Sequence, residues 1–67
     1  TEEEMYQLGA KVTWKHGEFE ATGFVTYFYS DHKLVCVNLD PGDSETEDIA
    51  RPMKECTLIR PAPKEGT

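Results

Sequence analysis

The run LGAKVTWKHGEFEATGFV, residues 8–25, decides the fold. Ala10, Val12 and Trp14 fall on one side of an alternating pattern, with Lys11, Thr13 and Lys15 on the other. A period of two marks a half-buried strand. His16-Gly17 then supplies the reversal, because glycine accepts the positive φ that a tight turn needs. Beyond it, EFEATGFVTYFYS (18–30) is the longest β-prone stretch of the chain. Its alternation groups Ala21, Gly23, Val25 and Tyr27 on one face, and Thr22, Phe24, Thr26 and Phe28 on the other. The small residues Ala21 and Gly23 predict that another strand or side chain crosses close above them.

Working outward, Ser30 to Lys33 reads as a polar four-residue hairpin connection into a third strand, LVCVNL (34–39). The turn-rich and strongly acidic run DPGDSETED (40–48) follows. IARPM (49–53) is a short strand whose Pro52 belongs at an edge or bulge, and KECTLI (54–59) is a last strand. The predicted organisation is an N-terminal arm (1–7), frayed or one loose helical turn, then one β domain (8–60) and a proline-punctuated tail (61–67). Ala10, Val12, Val25, Val35, Val37, Leu39, Leu58 and one of Ile49 and Ile59 are the expected core, with Gly23 at a bend.

Five short strands in about fifty residues predict an all-β fold, a small closed or nearly closed barrel. Gly9, Val12, Gly17, Gly23 and Val25 resemble the opening of a KOW-type or Tudor-type barrel, both variants of the Src-homology-three-like fold. The closing KECTLIRP (54–61) also looks like the end of such barrels, where a short polar turn leads into an apolar final strand. The resemblance implies a single five-stranded Src-homology-three-like barrel over residues 8–60. KOW relatives commonly contact RNA, ribosomes or RNA polymerase through basic loops. Tudor relatives read methylated Lys or Arg in an aromatic cage, for which Trp14, Phe19, Tyr27 and Tyr29 are the candidate walls here.

Composition bounds the function. A chain of 67 residues makes one domain with a thin core, burying only ~60% of its unfolded surface, and leaves no room for a deep catalytic cleft. No nucleophile–base–acid pattern stands out, so no enzyme and no cofactor is expected. Thirteen acidic residues against seven basic ones give a formal charge of -6, and residues 8–60 alone hold nine acids and six bases. That balance disfavours nucleic acid, whose affinity rests on Lys and Arg neutralising phosphates. It suits a protein partner with a basic patch. No apolar run reaches the roughly 18 residues of a membrane helix, and no signal segment is seen, so a cytoplasmic or nuclear home is expected. Uncovered edge strands leave room for a homodimer.

Cys36 and Cys56 read as buried thiols, although one bridge between neighbouring strands is conceivable. No metal site is expected. His32 and Cys36 are the only close pair among the His and Cys residues, and four residues of strand hold them ~13 Å apart. Within 40–48, Asp40, Asp43, Glu45, Glu47 and Asp48 place five carboxylates in nine residues. Three readings follow. The first is a non-catalytic protein-binding module using barrel loops, the aromatics and the acidic loop. The second is a nucleic-acid-associated regulator of the KOW type, with Lys11, Lys15, Lys33 and Arg60 as a basic stripe. The third is a small acidic inhibitor of host nucleic-acid machinery of the viral kind, which rests on acidity alone.

Overall fold

The computed structural model describes residues 5–63. Five antiparallel strands follow in order: β1 (Lys11–His16), β2 (Phe19–Tyr29), β3 (Leu34–Asn38), β4 (Ile49–Pro52) and β5 (Cys56–Arg60), with a 3-10 turn at Met53–Glu55 before β5. They form one all-β sheet in the order β4-β3-β2-β1-β5. Among the described residues no β4–β5 pairing closes it, so β4 and β5 are its two edges. Pro52 ends the β4 edge, where its missing N–H costs the ladder nothing.

The core is a small cluster of Tyr6, Ala10, Val12, Trp14, Val25, Val35, Val37 and Cys56. Trp14 is its largest fully buried side chain. The predicted crossing over β2 is present. A Cβ built on Gly23 would lie 2.8 Å from the Trp14 ring and 2.9 Å from the carbonyl carbon of Asn38. Glycine is therefore what lets the end of β3 and the indole both close onto β2.

One feature of β2 departs from simple alternation. Val25 pairs with Val37 but Tyr27 pairs with Cys36, so the register slips by one residue at Thr26. The Thr26 hydroxyl donates to the carbonyl of Cys36 across this bulge at 3.3 Å. A one-residue slip sends every later side chain to the opposite face. Phe28 accordingly packs against the core, whereas Tyr27 turns outward, 57% exposed. Grouping Tyr27 with Val25 is thus corrected.

Other expectations change, and the choice between Ile49 and Ile59 is resolved. Leu39 is 52% exposed, because β3 stops at Asn38 and the chain turns away. Ile49 packs against the core while Ile59 faces out, and Leu58 is half-buried. The end of the supposed arm is docked: Tyr6 is buried and its hydroxyl donates to the Cys56 carbonyl at 3.2 Å. Gly9, at φ +93°, lets its N–H donate to the Val25 carbonyl while the Val25 N–H donates back to Ala10. Residues 1–4 of the arm and 64–67 of the tail lie outside the described residues.

Candidate functional site

The bulge decides which aromatics of β2 are exposed. Tyr27 and Tyr29 stand two apart on the outer face of β2, their rings edge-to-face with centroids 4.6 Å apart. Such pairs stabilise each other by roughly 0.5–1.5 kcal/mol. Registry extends the patch sideways. Tyr29 pairs with Leu34 and Leu34 with Pro52; Tyr27 pairs with Cys36 and Cys36 with Ala50. Two cross-strand rows of apolar side chains therefore lie side by side on the outer face of β2, β3 and β4. The outer face of β2, β1 and β5 differs in kind: there Thr22, Thr13 and Thr57 form one row.

The four candidate cage walls do not meet. Trp14 is 1% exposed and presents no ring face to a ligand. Its burial follows from its position opposite Ala21 and Cys56 on the inward side of β1. Phe19 is 77% exposed at the tip of the first hairpin, opposite His16. Ten residues of strand separate it from Tyr29, roughly 30 Å when extended. Only Tyr27 and Tyr29 come together.

The candidate basic stripe is met in part: Lys33 stands apart from the other three. Lys11 and Arg60 are cross-strand partners, Lys15 stands opposite Glu20, and Lys33 belongs to the β2–β3 hairpin. At φ +52° Lys33 occupies the left-handed region, and its carbonyl accepts the Met53 N–H at 2.8 Å.

The acidic loop is built rather than loose. Asn38, buried at the end of β3, donates from Nδ2 to Asp48 Oδ1 at 2.9 Å and accepts the Asp40 N–H on Oδ1 at 2.9 Å. The Thr46 hydroxyl lies within 2.9 Å of three acceptors, Asn38 Oδ1 and the carbonyls of Asp40 and Asp43, among which it shares one proton. Asp40 accepts the Gly42 N–H and Asp43 the Glu45 N–H, two Asx turns in succession. Three of the five carboxylates, those of Asp40, Asp43 and Asp48, are thus engaged in shaping the loop, and all five residues are exposed. Sequence reasoning missed Asn38. Its signal was a polar residue ending an apolar strand two positions before an Asp.

Removing that hub has a defined consequence. Asn38→Ala should cost about 2 kcal/mol, since it strips partners from several polar groups at a buried position. Hydrogen exchange should speed up across 40–48 while β1 and β2 amides keep their protection. Unchanged exchange in the loop would show that Asn38 does not organise it.

The two cysteines are free thiols. Cys36 belongs to the outer face of β3 and Cys56 to the core side of β5, with β2 and β1 between them. No bridge joins them. Burial, with Asp48 adding repulsion, pushes the Cys36 thiol above its usual range. Burial and then Glu55 do the same to Cys56, against a smaller opposing effect of Arg51. Both therefore stay protonated near neutrality and are poor nucleophiles. Among the described residues, no group of three or more His, Cys, Asp or Glu could hold a metal ion. Nor is any helix there long and apolar enough to cross a membrane.

Comparison with protein-family models, with curated proteins and with solved structures finds no match to this chain.

Proposed function

We propose that the domain is a non-catalytic protein-binding module, a small barrel-type fold of the Src-homology-three-like, KOW/Tudor kind, that engages its partner through the outer face of β2, β3 and β4. One observation carries the reading. The bulge at Thr26 turns Tyr27 and Tyr29 outward beside Leu34, Cys36, Ala50 and Pro52, on a domain whose core is already filled by other residues. Tyrosines are favoured binding anchors because they give large contact area and a polar tip at little entropic cost. Contiguous apolar patches on small domains mark interaction sites. The barrel-type assignment is supported by the strand count, by the close approach at Gly23 and by the polar 3-10 turn leading into β5. The acidic loop adds a rigid negative end that steers a basic partner. The net charge of -6, and Glu20 standing opposite Lys15, weigh against the nucleic-acid reading, which needs cations in excess.

The test is the double variant Tyr27→Ser, Tyr29→Ser. Its stability should fall by no more than about 1 kcal/mol, as expected for half-exposed positions. Retention of host partners on the immobilised protein should drop at least about tenfold, the loss typical of a binding anchor. Full retention by a folded double variant would remove the outer face from the account.

A further inference from the structure

The acidic loop divides its side chains into two sets. Asp40, Asp43 and Asp48 accept the hydrogen bonds that shape it, from the Gly42 and Glu45 N–H groups and from Asn38 Nδ2. The Thr46 hydroxyl is committed as well, within 2.9 Å of three acceptors. Ser44, Glu45 and Glu47 are exposed, and among the described residues their side chains take no part in this network. Ser44 and Glu45 are the central residues of the turn that the Thr46 N–H closes on the Asp43 carbonyl at 3.2 Å.

The uncommitted set has a chemical order. It is one hydroxyl with a carboxylate on the next residue and another on the third residue after it. Ser44 is the one serine or threonine among the described residues with acids at both of those places. No Lys, Arg or His occurs from Leu34 to Ala50, and the residue after Ser44 is not proline. Kinases choose substrates by such charge patterns. This one is wrong for a kinase that reads bases or a following proline, and right for one whose cleft is basic. The segment is held by bonds inside an exposed loop. Opening such a loop costs far less than unfolding the sheet, so it can extend into a kinase cleft while the fold persists.

We propose that Ser44 is a phosphorylation site for an acid-reading serine/threonine kinase. Glu45 and Glu47 pair with bases of the kinase cleft and set the acceptor in place. The Ser44 Oγ attacks the γ-phosphorus of ATP, and the bond from that phosphorus to its bridging oxygen breaks. ADP leaves, and the hydroxyl proton passes to a base of the kinase. The phosphate adds a charge of about -1.5 to -2 near neutral pH to a loop that already holds five carboxylates. The proposal is independent of the outer-face reading.

The experiment treats the folded protein with magnesium ATP and purified casein kinase II, and maps phosphate by tandem mass spectrometry. Mapping by site is needed because Thr1, followed by Glu2, Glu3 and Glu4, has the same spacing outside the described residues. Ser44 should be labelled and Thr46 should not. The double variant Glu45→Gln, Glu47→Gln should be labelled at Ser44 at least about tenfold more slowly, as the loss of two charge-assisted contacts implies. Protein isolated from its native host with phosphatases inhibited should carry phosphate on Ser44. An unlabelled Ser44, Thr46 labelled as fast as Ser44, or a double variant labelled as fast as the parent would overturn the proposal. Native protein with no phosphate on Ser44 would overturn it too.

Discussion

Gly23→Ala will remove much of the domain's stability, on the order of 3 kcal/mol or more. The added methyl meets the Trp14 ring at 2.8 Å and the Asn38 carbonyl carbon at 2.9 Å, with the carbonyl oxygen closer still. A side chain can rotate out of such a contact, but a carbonyl in the β2–β3 ladder cannot, because Asn38 pairs with Phe24. Overpacking generally costs about 1–3 kcal/mol, and contact with backbone belongs at or beyond the upper end. A domain of this length has a total stability of only about 3–10 kcal/mol. The urea midpoint should therefore fall steeply, or the variant should fail to fold. A loss below about 1 kcal/mol would mean that β3 does not close onto β2 at this point.

Trp14→Ala is expected to be at least as damaging, at about 4 kcal/mol, because it empties the largest site in a thin core. Among the described residues the buried indole Nε1 has no hydrogen-bond partner. Trp14→Phe therefore loses no bond and relieves an unsatisfied donor, so it should cost less than half as much. Trp14 is the sole tryptophan, so its fluorescence reports directly. Emission from the folded protein should be blue-shifted from that of the unfolded chain and insensitive to aqueous quenchers. Ready quenching, together with a small cost for Trp14→Ala, would put the ring at the surface after all.

These two residues also show where the sequence is most readable. Trp14 follows Ala10 and Val12 at strict intervals of two, so periodicity puts it on their face, although the expected core leaves it out and the resemblance makes it a candidate cage wall. The small residues Ala21 and Gly23 point to something large above them, and the indole is that object. Beyond Val25 the same logic misleads. The bulge at Thr26 needs no glycine or proline, and Thr26 is as β-prone as any regular strand residue. With Tyr27 and Phe28 both aromatic, the pattern carries no information about which faces in. Leu39 fails for a related reason: its alternation runs on from Val35 and Val37, but Asn38 has already turned from ladder to loop. Tyr6 sits among acids, and its docking depends on Cys56, fifty residues away.

What unites these features is the face swap at Thr26. Without it Tyr27 and Tyr29 would both turn inward, Phe28 would lie outside, and the patch beside Leu34 and Pro52 would lose both of its tyrosines. The most direct test is site-specific photo-crosslinking in the native host cell, with p-benzoylphenylalanine placed singly at positions 27, 29, 22 and 57. Positions 27 and 29 should give the same discrete crosslinked partner, and positions 22 and 57, on the threonine-bearing half of the outer face, should give none. Crosslinks from 22 or 57, or from no position at all, would contradict the claim that this protein recognises its partner through the outer face of β2, β3 and β4.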